Sequence, residues 1–183
     1  LVDPDNRRPV DYALRRQMLR ELEPLVNAAW QYPPLPRHEA VSQMLAQWHD
    51  GRIKMYITML GLHLRKRTPK LFLNGDYLPL EADGSHAAHV LALARRLQDQ
   101  LFLVAVPRLV AGLTSPDHPL PLGAVWADTT LRLPPELPAR SYHNLLTGET
   151  VPATSGTDAL TLTLADLLAS CPVALLVPCG QSL

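Results

Sequence analysis

The stretch Asp3-Pro4-Asp5-Asn6-Arg7-Arg8-Pro9 places two carboxylates, one amide and two guanidiniums side by side, with prolines stiffening the run. Proline lowers the entropy such a loop loses when it closes on a ligand. Carboxylates and guanidiniums each offer more than one hydrogen bond in a fixed plane, which suits the paired hydroxyls of a sugar. The same residues would also serve as an Asx-type turn with solvated charges leading into a helix, and composition alone does not separate the two.

Other candidate groups are spread along the chain. Lys54 and Tyr56 open a long helical pattern, where packing or capping competes with lining a cleft. Trp30, Trp48 and Trp126 are large enough to stack on a sugar ring. Trp48 and Trp126 fit apolar stripes and are expected in the core, whereas Trp30, in a proline-rich turn, is expected to be the most exposed. His86 and His89 supply two possible metal ligands with no third nearby, so zinc is not expected. Asp128 and His143 with a serine would make a triad on paper, but no nucleophile-elbow sequence supports one. Arg65-Lys66-Arg67 reads as cations at the negative end of a helix dipole.

The chain has 183 residues, 47% of them hydrophobic, enough for a folded core. Seventeen Lys and Arg balance 17 Asp and Glu, which argues against a nucleic-acid binder held by a general positive field. The balance hides a split: residues 1–70 hold 12 basic and 7 acidic side chains, residues 71–183 hold 5 and 10. No apolar run approaches the roughly 20 residues a bilayer requires. The opening LVDPDNRRPV reads as part of something larger, with no secretory leader and a cytoplasmic location expected. Three Lys beside 14 Arg suggest a GC-rich bacterial genome. Cys171 and Cys179 make neither a zinc site nor a disulfide framework.

The elements that must position these groups fall into two parts. A helical period of apolar residues runs to about residue 67: Leu14, Met18, Leu22 and Leu25 behind an Asp11 cap; Val41, Leu45 and Trp48 in a helix over 38–49 stopped by Gly51; and Ile53, Ile57, Leu60 and Leu64 over 52–67. After Lys70 the period becomes two. Strands are expected at 71–73 and 77–80 about an Asn74-Gly75-Asp76 turn, at 89–96 (whose Ala and Leu content would also suit a helix), 101–109 and 123–133, in a hairpin over 141–153 turning at Thr147-Gly148-Glu149, at 160–164, and at 173–177. Residues 144–149 serve as that turn or reach a neighbouring element. The spacing favours an antiparallel sandwich.

LVDPDNRRPVDY resembles the segment after the eighth barrel strand in the maltooligosyltrehalose synthases, family 13 glycoside hydrolase-type isomerases of the alpha-amylase clan. LHLRKRTPKLFLNGDYLPL, HVLALAR, VAVPRL, GAVWADTTLRLP, NLLTGE and LADLLASCPVALL resemble succeeding segments of that family in order, so the similarity covers essentially the whole chain. It implies an α+β fragment: residues 1–70 as the last active-site loop and C-terminal helices of a (β/α)8 barrel, and residues 71–183 as an antiparallel β-sandwich domain. It implies that the parent enzyme converts the reducing-end α-1,4 bond of a maltooligosaccharide to α-1,1, through a covalent glycosyl-enzyme. The three catalytic carboxylates are expected before Leu1, so this segment is expected to be inactive alone. By match, Asp3 and Arg7 contact substrate hydroxyls, Asn6 and Arg8 support them, and Asp5 braces an arginine. No cofactor or metal is implied. The implied partners are a maltooligosaccharide and the upstream barrel, with self-association of the segment through an uncovered face of its long helix; nucleic acid and membrane are not. The competing reading is a non-catalytic glucan-binding or protein-interaction module.

Overall fold

A computed structural model describes residues 9–31, 34–137, 140–156 and 159–181. Helix α1 spans Tyr12–Ala28, and the Asp11 carboxylate accepts the Leu14 N–H at 2.9 Å. That cap satisfies a donor which a helix start leaves free. The buried stripe is Met18, Leu22 and Val26, continued by Ala29, rather than the row through Leu14 and Leu25. Burial begins only at Met18, so the opening turn, with Leu14, has little to pack on among the described residues.

Helix α2, His38–Ala46, stops earlier than the sequence pattern suggests, and a 3-10 turn over Trp48–Asp50 follows. The tighter turn rotates side chains off the α-helical row. Trp48 therefore leaves the apolar stripe and is 52% exposed, which corrects its expected place in the core. Gly51, at φ +83°, breaks the run as expected, and α3 occupies Arg52–Arg67. Its Ile53, Tyr56, Leu60 and Leu64 are buried, Ile57 is partly buried, and Leu62 stays 59% exposed. Pro69 starts a further short helix, α4, Pro69–Asn74. Residues 71–73 are thus helical, not a strand. Leu71 is buried and Leu73 exposed, whereas strand geometry would have put them on one face. Arg95 donates from Nη2 to the Phe72 carbonyl at 2.6 Å and closes the end of α4. The expected hairpin turn at Asn74-Gly75-Asp76 is instead a helix-to-strand junction.

The strands are β1 Asp76–Leu80, β2 Ala82–Asp83, β3 Val90–Leu97, β4 Gln100–Pro107, β5 Thr130–Leu133, β6 Ser141–Asn144, β7 Thr150–Pro152, β8 Thr154–Ser155, β9 Leu160–Thr163 and β10 Ala174–Pro178. They form a six-stranded sheet in the order β1-β3-β4-β10-β6-β7 and a four-stranded sheet in the order β2-β5-β9-β8. Every strand pairing among the described residues is antiparallel, and no closed barrel is present among them. The single strand expected over 123–133 is a 3-10 turn, Gly123–Trp126, followed by β5. Trp126 is fully buried as expected, its indole N–H donating to the Pro121 carbonyl at 2.9 Å. A short helix α5, Leu164–Leu167, follows β9.

Alternation along the central strands explains the layering. Leu101, Leu103 and Ala105 of β4, with Ala174 and Leu176 of β10, share one core with Leu131, Leu133 and Leu162 of the smaller sheet. Phe102, Leu175 and Val177 point the other way and share a core with Leu22, Val26, Tyr56, Leu60 and Leu71. The six-stranded sheet is therefore covered on both faces, by helices on one and by the second sheet on the other, an α+β arrangement.

Two glycines test this packing. Gly148 has φ +77°, and a methyl group there would overlap the Leu35 carbonyl, so Gly148→Ala should cost at least about 1–3 kcal/mol. Gly61, inside α3, has open space around it, and Gly61→Ala should stabilise by about 0.5–1 kcal/mol. Urea unfolding midpoints moving in opposite directions would bear out both assignments.

Candidate functional site

The helical layer and the large sheet meet at the turn joining β6 to β7. Arg37, 3% exposed, lies in the proline-rich approach to α2. Its guanidinium donates from Nη1 to the carbonyls of Leu35 at 2.7 Å and Ala28 at 3.3 Å, and from Nη2 to that of Leu145 at 3.0 Å. The Arg37 backbone N–H donates to the Thr147 carbonyl at 2.7 Å, and the Tyr56 hydroxyl to that of Leu146 at 2.8 Å. Three successive turn carbonyls thus each receive a donor from the helical layer. The turn is braced from within: the Asn144 side chain accepts the Leu146 N–H at 3.0 Å, and the Leu145 N–H donates to Leu175 of β10 at 2.8 Å. Ser170 Oγ donates to Glu149 Oε1 at 2.8 Å.

The groups around this turn are held neutral. Burial pushes the Tyr56 phenol up, the Tyr142 phenol up to about 12 and the Cys171 thiol up to about 11. Burial, and then the charge of Arg37, pulls His143 down. None of these shifts favours a thiolate or phenolate nucleophile near neutral pH, so the turn reads as a brace. Among the described residues both ring nitrogens of His143 and the indole nitrogen of Trp30 are buried without a partner.

Two clefts flank the brace. One, of about 710 Å³, is lined by Trp30, Gln31, His143, Thr150, Cys179 and Gln181. Trp30 is half-buried there, less open than expected, with the Arg67 guanidinium 5.0 Å above its ring centroid. The larger, about 990 Å³, lies between α2 and residues 112–122 and includes Trp48. Lys54 is exposed and lines neither.

Asp3, Asn6, Arg7 and Arg8, with Asp5, lie outside the described residues. The helix that follows them is tied to α3 at the surface. Arg52 of α3 reaches Glu21 of α1 at 2.7 Å and Asp50 at 2.9 Å, and hydrogen bonds from Arg52 hold both carboxyls below their ordinary range. Elsewhere, the rings of His86 and His89 are 6.0 Å apart, and no group of three His, Cys, Asp or Glu among the described residues could hold a metal ion. Asp128 accepts the Ser85 N–H at 2.9 Å, which holds its carboxyl low, while His143 sits beside the brace. Among the described residues no helix is long and apolar enough to cross a membrane.

No family model matches the chain. Two curated Mycobacterium tuberculosis proteins, each named maltooligosyl trehalose synthase, are 36% identical to it over 177 residues, 97% of this chain and 17% of their own length. The solved structure of a variant maltooligosyltrehalose synthase from Arthrobacter ramosus superposes with a TM-score of 0.60 at 29% identity, covering 97% of this chain and 18% of that one. Over nearly its whole length the chain is similar to one segment of these maltooligosyltrehalose synthases. It spans about one sixth of the length of the curated relatives it matches.

The synthase-like segment NLLTGE is the braced turn itself, and LHLRKRTPKLFLNGDYLPL runs from α3 through α4 into β1. Sequence reasoning missed Arg37. A lone arginine between a proline and a helix carries no signal of a carbonyl 108 residues away. It also missed the outward turn of Trp48, since the helical spacing continued through it.

Tyr56→Phe should cost about 1–3 kcal/mol by leaving the buried Leu146 carbonyl unpaired. For His143, a folded-state pKa below the ordinary 6.5 gives stability that is complete above that value and lost as pH falls through it. Urea midpoints should therefore decline as pH falls below about 6.5 toward the lower folded-state value, and His143→Phe should flatten the decline. An equal decline in the variant would show that another group titrates.

Proposed function

We propose that this chain is the C-terminal portion of an intramolecular transglucosylase. The parent converts the reducing-end α-1,4 bond of a maltooligosaccharide to α-1,1, making maltooligosyltrehalose for trehalose biosynthesis. The observation that carries this reading is the agreement of sequence and fold comparisons over the same 97% of the chain.

In this reading a carboxylate from the rest of the protein attacks the anomeric carbon at the scissile bond, while a carboxylic acid protonates the departing glucose oxygen. The glycosyl-enzyme then waits while the glucose turns over within the site. The glucose attacks through its own anomeric hydroxyl, whose proton passes to the now ionised acid, and the enzyme carboxylate leaves. Water must be excluded throughout, since its attack would give hydrolysis. Asp3 and Arg7 hold hydroxyls of the glucan, with Asn6 and Arg8 in support. Residues 1–70 close the last part of a (β/α)8 barrel, and residues 71–183 buttress it. The braced turn supports this division, because it ties the helices that follow the loop to the sheet.

The partner for the helical layer is the rest of the same protein. Tyr12, 68% exposed, with Leu14 and Leu19, leaves apolar side chains of α1 uncovered, and Val10 just before the helix is exposed as well. Such a surface is unusual on a free-standing monomer. The 183-residue chain alone should therefore self-associate in a sedimentation series, and Leu19→Glu should shift it toward monomer.

With the full-length protein, maltopentaose should lose reducing ends without release of free glucose, and the 183-residue chain alone should leave reducing ends unchanged. Asp3→Ala and Arg7→Ala should each lower kcat/KM by about 10–100-fold, the loss of a charged hydrogen bond. Conversion by the short chain alone, or full activity in both variants, would overturn this assignment.

A further inference from the structure

We propose that the cleft between α2 and residues 112–122 is a second α-glucan-holding site, with Trp48 as its stacking platform, in addition to the contacts proposed for Asp3 and Arg7. The inference rests on the glucan reading above and adds a site to it.

Trp48 is the starting point. The helical row it continues would have buried it, and burying an aromatic ring stabilises by about 1.5–3 kcal/mol, yet the ring is half open to solvent. Local contacts define the turn that carries it. The His49 ring packs against it with centroids 4.0 Å apart. The turn that carries it ends on Gly51 in the left-handed conformation, and the Arg52 N–H donates to Asp50 Oδ1 at 2.7 Å. An indole, with two side-chain torsions, loses little entropy when a ligand covers it.

The opposite wall is ordered as well. Ser115 and His118 exchange backbone hydrogen bonds of 3.0 and 3.1 Å, and Thr114 Oγ1 donates to the Val110 carbonyl at 3.2 Å. Polar groups in the cleft come from His38, Ser42, Thr114, Ser115, Asp117, His118 and Ser170, and among the described residues no Lys or Arg lines it. That composition suits neither phosphate nor nucleic acid, which need cationic partners. It does suit a neutral polyol. A pyranose presents an apolar C–H face to an indole and a rim of hydroxyls to serine, imidazole and carboxylate, and an α-1,4 chain repeats both. At about 990 Å³ the cleft lies near the upper end of the ~300–1,000 Å³ usual for ligand sites, room for several atoms beyond one ring.

Affinity electrophoresis of the full-length protein through gels containing soluble starch tests the assignment, with conversion of maltopentaose measured in parallel. Trp48→Ala should weaken starch retardation at least ten-fold, Trp48→Phe should retain part of it, and both should convert maltopentaose with unchanged kcat and KM. Asp3→Ala should do the reverse, losing kcat/KM while remaining retarded. Full retardation of Trp48→Ala would overturn the second site and leave the enzyme reading standing. Loss of kcat together with retardation in Trp48→Ala would show one glucan-holding site rather than two and overturn the inference. A full-length protein that neither binds starch nor converts maltopentaose would overturn the enzyme reading first, and this inference with it.

Discussion

Three backbone carbonyls, at Leu145, Leu146 and Thr147, must each find a donor inside the protein, and the helical layer supplies all three. Buried carbonyls left unpaired cost roughly 1–3 kcal/mol apiece. The donors are Arg37 twice, through guanidinium and backbone, and Tyr56 once. A charged guanidinium buried at this point is tolerable because its hydrogen bonds end on oriented carbonyl dipoles. The position of α2, the rotation of α3 and the docking of the β6–β7 turn therefore depend on one another.

From that joint the rest of the architecture follows. β4 and β10 run through the middle of the large sheet with apolar side chains on both faces, so each face needs a cover. The helices cover one and the smaller sheet covers the other. Arg95 ties α4 to the sheet at the same level by donating to the Phe72 carbonyl. Arg52, held by Glu21 and Asp50, fixes α1 on α3 at the surface, where solvent screening leaves such pairs small contributions. The rigid parts of the molecule are thus internal, and the clefts open where layers end.

The groups with unusual protonation belong to the brace. His143, Tyr56, Tyr142 and Cys171 are all pushed toward their neutral forms, chiefly by burial. Shifts of this kind often mark catalytic groups, but here they accompany packing and carbonyl capture without an accessible reacting atom. These groups therefore serve the joint between helices and sheet.

Local sequence was enough for the elements with strong periodicity. The Asp11 cap, the bounds of α3, the left-handed Gly51 and the buried strands around LFLVAV all follow from side-chain spacing and backbone preference, which act over a few residues. The family was legible from ordered segments such as NLLTGE. Residues 71–73 were not legible as a helix, because three apolar residues fit either period and the Arg95 cap that closes the turn comes from 23 residues away. Trp48 was misplaced because one 3-10 turn redirects a side chain without changing the spacing that announces it. The roles of Arg37 and Tyr56 rest on carbonyls 108 and 90 residues distant. Such pairings carry no mark in local sequence, since any buried carbonyl would serve equally well. Only the folded arrangement decides which one it is.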